Sequence, residues 1–491
     1  LELPPGLLHT HQPRRPGYPA PPSDPPALVQ YQPSTAAVTL ALPFTFYMAP
    51  VPSILLLVAL YKGSTYGGSV SAILIKTPGT ASAACTALDG YPLAQQGKAG
   101  KALNMALYSS VTGDFISNMS LIFLAAPLAA LALHVGPPEY FMLMLFALTT
   151  VAGVSGNSLL LGLVSACLGL LLATAGEDMY GSFRFAFTND MQAGLSVAPV
   201  LIGLFALPEL IKLIVMRAAP DNDTAKLGDQ KVSRAEFLGS LKSILRGSAI
   251  GAVMGAIPGI GPSAAAFFSY GEAQRSSKNG KNFGKGELEG IAASESANNG
   301  ACGATMIPLL ALGVPGDVIT GVMLGAFMIQ GLTPGPLLFQ TNMHEIYMLL
   351  IGMLFSSLLL FGAGKITMRM FSYVAHVPQT LLTPAVLLLC LFGIYSISSS
   401  MFDVAVLLVM GVVGFAMFLL NIPAAPFLIA FILGPMIEEN LRRALAISRG
   451  EPGILLSSPI TWVFAALILF VAGLTIRREF QKSKERKVTQ S

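Results

Sequence analysis

Charge is what this chain has least of. Only 11% of its 491 residues are Asp, Glu, Lys or Arg, against roughly 25% in soluble proteins, while 53% are hydrophobic. A chain this poor in ionisable groups is not built for water, so the composition excludes an ordinary soluble enzyme or binding protein and indicates a polytopic membrane protein. The formal net charge is only +4, and the Lys and Arg residues lie between apolar runs, which leaves no basic face for nucleic acid. Tryptophan occurs once, so a thick aromatic belt is excluded. Cys85, Cys167, Cys302 and Cys390 all sit in apolar segments without a CxxC pair or a histidine partner, and read as small core residues. His9 and His11 fall in an odd N-terminal stretch, and His134, His344 and His376 lie near helix ends without metal spacing. No catalytic Ser/His/Asp set, zinc site or haem site stands out. The loop KNGKNFGKGELEG (278–290) lacks the GxxxxGK[ST] pattern, so ATP is not supported.

Glycine (49) and proline (34) are plentiful instead. Two Pro-Gly breaks interrupt apolar segments: TPG at 77–79 and VPG at 314–316. They read as one motif written twice, with Gly67-Gly68-Ser69 leading to Pro78-Gly79 as Gly303-Ala304-Thr305 leads to Pro315-Gly316, one residue apart in spacing. Proline lacks the amide hydrogen a helix needs and glycine holds helical geometry poorly, so each run becomes two half-helices with free backbone groups at the junction. Lipid tolerates such groups only where they line a polar cavity or are buried in protein. Paired interruptions in the two halves of a chain point to the binding site of a secondary transporter.

Residues 1–34 are Pro-rich, without an apolar period, and read as an irregular stretch; the first methionine is Met48, and a truncated or frame-shifted start is one reading of this. Apolar runs follow at 35–60, 67–88, 102–133, 138–153, 156–175 and 191–215 and form a first transmembrane repeat, 35–215. A basic connector at 216–247 separates it from a second repeat, 248–476, and a basic tail closes the chain at 477–491. The positive charges of the connector, of the 275–285 loop and of the tail assign all three to the cytoplasmic side. The segment 248–273 between the first two is then a re-entrant hairpin with PGIGP (258–262) at its tip. The fold expected is all-α: a polytopic two-repeat bundle, the repeats inverted, with discontinuous and re-entrant helices.

The stretches YGGSVSAILIKTPG, ALDGYPLAQQGKAGKAL, GAVMGAIPGIGP, FFSYGEAQRSSKNGKNFGKGELEGIAASESANN and IPLLALGVPGDVITGVMLGAFMIQGLTPGP resemble, in this order, the large membrane subunit of tripartite tricarboxylate transporters, the TctA family. The resemblance spans about residues 35 to 475. It implies a bacterial inner-membrane, multi-pass protein with a cytoplasmic C-terminus. It further implies a small TctB-like membrane subunit, a periplasmic TctC-like solute-binding protein, and import of organic acids coupled to Na⁺ or H⁺. The family carries a copy of the PGIGP break in the first half as well. Here the corresponding place falls on Pro21-Pro22-Ser23-Asp24-Pro25, which lacks the glycines.

Half-helix N-termini present free N–H groups and positive dipole ends, so they can hold a carboxylate without a buried Lys or Arg. Candidate substrate residues are therefore Gly68, Ser69, Thr77, Pro78, Gly79, Thr80, Pro258, Gly259, Gly261, Ser263, Pro315 and Gly316, with Ser82 and Asp317 next to the breaks. The alternative is that the small residues serve only close helix packing. Lys76 either meets a substrate carboxylate or snorkels to the interface. Candidates for the coupling cation are Asp89, Glu295, Asn298 and Asn299. Asp89 lies in Asp-Gly-Tyr-Pro, which also reads as a turn, and the residues of ESANN also suit a helix cap. Two rival functions are an inactive remnant of such a transporter, on account of the altered N-terminus, and an intramembrane enzyme acting on lipid, which would need a nucleophile and base in place of duplicated breaks.

Overall fold

The computed structural model describes residues 33–76, 78–133, 135–154, 159–178, 180–215, 231–374 and 379–489. The first half holds α1 (Pro33–Thr45), α2 (Pro50–Ile75), α3 (Ala83–Leu93), α4 (Ala99–Ala132), α5 (Pro137–Val154), α6 (Leu159–Ala173) and α7 (Val197–Val215). The second holds α8 (Arg234–Gly255), α9 (Gly261–Ser276), α10 (Leu288–Ala304), α11 (Met306–Leu312), α12 (Val318–Ile329), α13 (Leu338–Thr341), α14 (Met343–Val374), α15 (Gln379–Ser398), α16 (Met401–Leu419), α17 (Ala424–Ile447) and α18 (Pro459–Thr489). The strands among the described residues are one short ribbon, Gly176–Glu177 against Phe183–Arg184. The all-α expectation holds. The irregular stretch expected at 1–34, with the region expected to match PGIGP, lies almost wholly outside the described residues.

Among the described residues, four helical stretches are long and apolar enough to cross a membrane: Ala83–Ala132, Met343–Met368, Met401–Leu419 and Ala424–Ile447. They turn large side chains such as Phe355, Leu358, Val409 and Val412 outward, as a lipid-facing surface requires. Several boundaries depart from the apolar runs. The run 35–60 is two helices, because Pro50 opens α2, where a missing N–H costs nothing. The Asp-Gly-Tyr-Pro segment is helical, within α3, rather than a turn. The connector expected to reach residue 247 becomes helix at Arg234, where Ser233 and Glu236 form a capping box.

α10 is the centre of the molecule. Every residue from Gly290 to Ala304 is buried. Its small side chains let three helices approach its backbone: a Cβ on Gly113 of α4 would stand 2.2 Å from Ser296 O, and one on Gly251 of α8 2.3 Å from Ala297 O, while α9 closes the third side.

The halves correspond at an offset of 237 residues, the distance from Pro78 to Pro315. At that offset α2 corresponds to α10 and α11, α4 to α14, α6 to α16 and α7 to α17. Corresponding helices run antiparallel. Ser69 and Thr65 of α2 meet Glu295 and Cys302 of α10, descending one helix while ascending the other. Asn118 and Asn104 of α4 likewise meet Met353 and Lys365 of α14. α6 packs on α17 as α7 packs on α16, the exchange a two-fold axis produces. The antiparallel run of α2 on α10 and of α4 on α14 is the relation an inverted repeat would give.

Candidate functional site

The first break follows α2, which ends at Lys76 in a left-handed turn of φ 56°. The chain then folds back on its own helix, with Gly79 N–H donating to Gly68 O at 3.1 Å. A Cβ on Gly79 would stand 2.7 Å from Gly68 Cα, so this approach needs glycine. Thr80 lies in the turn before α3: its hydroxyl accepts from the N–H of Ala83, the first residue of that helix, at 3.1 Å and pairs with Ser82 Oγ at 3.0 Å. Pro78 is exposed, Gly79 and Thr80 are half-buried, and Thr77 lies outside the described residues. Lys76 is exposed, with its ammonium 5.4 Å from the ring centre of Tyr91.

The second break repeats this backbone. Gly316 packs on Thr305, eleven residues back, as Gly79 packs on Gly68. Asp317, at the position equivalent to Thr80, is the N-cap of α12, its Oδ1 accepting from Thr320 N at 2.8 Å. The structural partners are thus Gly68 with Thr305, one residue off the pairing of Ser69 with Thr305 that the aligned motifs suggest. The side chains differ. The carboxylate of Asp317 also accepts a hydrogen bond from the Tyr61 hydroxyl of α2, and Pro315 and Gly316 are buried.

The PGIGP tip joins the second break. α8 and α9 form a helical hairpin, shown by Arg246 of α8 bonding both Glu272, at 3.2 Å, and Ser276 of α9. Gly259 and Gly261 take φ of 83° and 68° at its tip, where side-chain-bearing residues are strained. Gly259 N–H donates to Gly316 O at 2.8 Å, and Pro258 is buried beside it. Ser263, one turn into α9, is half-buried. Two of the three breaks therefore meet directly, and in the contacts described the first closes on α2.

Between the breaks runs a buried polar seam of α2, α4 and α10. Glu295 accepts from Ser69 at 2.5 Å, from Ser110 at 2.8 Å and from Thr86, three hydroxyls on three helices. Such a set holds a carboxylate in lipid without a cation beside it. It also leaves Ser69 hydrogen-bonded inward and fully buried, out of reach of a lipid substrate. One turn along, Lys62 and Asp114 form a buried ion pair at 3.1 Å. Lys62 donates as well to Met353 O at 3.0 Å and Ser356 Oγ at 2.9 Å, and Ser357 Oγ donates to Asp114 at 2.6 Å. Asn299 donates to Glu295 O at 3.2 Å. Asn298 is buried with neither amide atom bonded and lies on the face of α10 where Cys302 touches Thr65 at 3.6 Å.

Asp89 stands apart. Its Oδ1 accepts from the N–H groups of Gly284, Gly286 and Glu287 at 2.8–2.9 Å, and its Oδ2 from Tyr270 at 2.8 Å. It ties α3 to the loop entering α10. The acceptor pattern is that of an anchor, and it is separate from the Glu295 seam. Lys62, Tyr61, Asp114 and Asn118 escaped the reading of motifs. The signal was present, since Asp114 lies inside the apolar run 102–133 and intramembrane charges mark functional sites; what hid it was the absence of any motif around it.

The family model of the tripartite tricarboxylate transporter TctA family matches residues 33–429. The chain belongs to the TctA family. It is 36% identical over 428 residues to a protein of Agrobacterium vitis, the "Uncharacterized 52.8 kDa protein in TAR-I ttuC' 3'region", covering 87% of this chain and 85% of that one. A second Agrobacterium vitis protein, the "Uncharacterized protein in TAR-II ttuC' 3'region", is 37% identical over 210 residues, or 43% of this chain and 87% of its own length. No solved structure matches. The two Pro-Gly breaks and the polar seam between them lie within the matched residues.

Proposed function

We propose that this TctA chain is the conducting subunit of a cation-coupled organic-acid importer in the bacterial inner membrane, with its C-terminus cytoplasmic. A periplasmic solute-binding protein delivers the carboxylate, and a small TctB-like subunit completes the assembly. The segment 248–273 is re-entrant in this reading, the connector and tail facing the cytoplasm. The observation that carries it is the inverted, duplicated break, a device that serves alternating access and has no role in catalysis at a fixed site.

The two breaks divide the work. The α3 N-terminus is preceded by neutral Thr80 and Ser82 and has no acidic residue in its first turn, so the positive end of its dipole can take a substrate carboxylate. The α12 N-terminus already carries Asp317, and a second carboxylate there would meet like charge. Substrate thus belongs to the first break and the coupling cation to the polar seam behind it.

Uptake of a labelled tricarboxylate by cells expressing the chain with its two partner subunits tests this. Accumulation that collapses when the cation gradient is dissipated is expected. Uptake that is unchanged without the gradient, or equal in cells lacking the chain, overturns it.

A further inference from the structure

The α4–α10 seam holds a group of oxygens with nothing to accept. The two helices run parallel and in register: Ser110 meets Glu295, and two turns on Asn118 and Ser117 meet Gly303. That register sets Asp114 opposite Asn299. On this stretch Asp114 Oδ1, Asn118 Oδ1, Asn299 Oδ1 and Ser117 Oγ have no hydrogen-bond partner, and all four residues are 0% exposed. The other ends of these groups are already engaged. Asn118 donates through Nδ2 to Met353 O at 3.1 Å and Ser357 Oγ at 2.7 Å, and Asn299 donates through Nδ2 to Glu295 O. Asp114 Oδ2 faces Lys62 and Ser357. The amide and carboxylate oxygens are thereby turned into the seam.

A buried oxygen without a donor costs on the order of 1–3 kcal/mol, and several together are retained only where something supplies positive charge. The Ser117 hydroxyl can supply one hydrogen to the three acceptors, which leaves two oxygens without a donor from the protein around them. A cation serves them all, and an all-oxygen set suits a hard one. α10 makes room at this level because residue 303 is glycine: a Cβ there would stand 2.7 Å from both Asn118 Oδ1 and Ser117 Oγ.

We propose that Asp114, Ser117, Asn118 and Asn299 form a binding site for a monovalent cation of sodium's size. Lys62 holds one side of Asp114 and reaches Met353 and Ser356 of α14, so an ion on the other side of the same carboxylate acts on the tie between the two halves. That consequence rests on the transporter reading; the site itself does not.

The test is the thermal midpoint of the purified full-length protein in detergent, titrated with NaCl against choline chloride at equal ionic strength. The wild type is expected to gain a saturable rise from sodium alone. Ser117→Ala, which removes one ligand and no charge, should raise the half-saturating sodium concentration about tenfold, a change equal to about 1.4 kcal/mol in binding. Gly303→Ala, which fills the space, should abolish the sodium effect, as should Asp114→Asn. A wild-type midpoint indifferent to sodium, or a half-saturation unchanged in both Ser117→Ala and Gly303→Ala, overturns the site. Sodium stabilisation that persists in a protein unable to import carboxylates overturns the transporter reading and leaves the site standing.

Discussion

The two Pro-Gly breaks share a backbone and differ in charge. Each brings its glycine onto the residue eleven positions earlier, Gly79 onto Gly68 and Gly316 onto Thr305, and the next side chain accepts from the amide three residues ahead, Thr80 from Ala83 and Asp317 from Thr320. The geometry survived duplication because main-chain packing allows no alternative: a Cβ at either glycine would overlap backbone atoms. The side chain after the glycine was free to change, because Thr and Asp can both accept from the amide three residues ahead. Thr80 leaves the positive end of α3 available, while Asp317 fills that of α12 and recruits Tyr61 to hold it. Symmetric halves thus become chemically unequal, which lets one serve an anion while the other takes part in a buried network.

The largest effect should come from erasing that difference. Thr80→Asp keeps an acceptor for the Ala83 amide, so membrane abundance should stay near normal, yet it puts a carboxylate where the substrate's is held. Two unit charges about 4 Å apart at an effective dielectric of about 20 repel by about 4 kcal/mol, so uptake should fall roughly a hundred- to thousandfold. Unchanged uptake per inserted molecule would put the substrate elsewhere. Gly316→Ala and Gly79→Ala come next, each costing about 1–3 kcal/mol by overpacking and lowering abundance as well as transport. The backbone contacts at both glycines predict loss of fold as well as of transport. Melting in detergent should show Gly316→Ala as the worse, because that break is buried. Tyr61→Phe strips one donor from Asp317 and should lower stability by about 1–2 kcal/mol, read as a drop in the thermal midpoint. An equal drop on removing Thr80's hydroxyl would show the breaks to be energetically alike.

The smallest effect lies at the first turn of α8, away from both breaks. Hydrogen bonding to Lys101, aided by the Ser233 amide, brings the Glu236 carboxyl down to about 2 from its ordinary 4.5. A lowered carboxyl stabilises the fold above its unfolded value and loses that contribution as pH falls through the folded one. Glu236 is about a third exposed, so solvent screens the pair. Glu236→Gln should therefore flatten the acid side of the stability profile slightly between about pH 4.5 and 2, measured by thermal midpoint, and leave neutral uptake unaltered.

The sequence by itself determined the membrane class, the helical fold, the duplicated breaks and the family. Each of these is written in composition, in Gly and Pro placement or in contiguous motifs, and none needs a contact between distant residues. It also singled out Glu295, Asn298 and Asn299, because they lie together on one polar stretch of an apolar chain. Tertiary structure alone decided what they face. Ser69, Thr86 and Ser110 reach Glu295 from three separate helices, and Lys62 pairs with Asp114 across fifty residues that carry no sign of it. Whether Asp89 anchors a loop or serves an ion, and whether a half-helix N-terminus is open or filled, likewise depends on partners brought by packing. In a membrane a buried charge persists only beside its partners, and the inverted repeat brings those partners together by running corresponding helices in opposite directions through one centre.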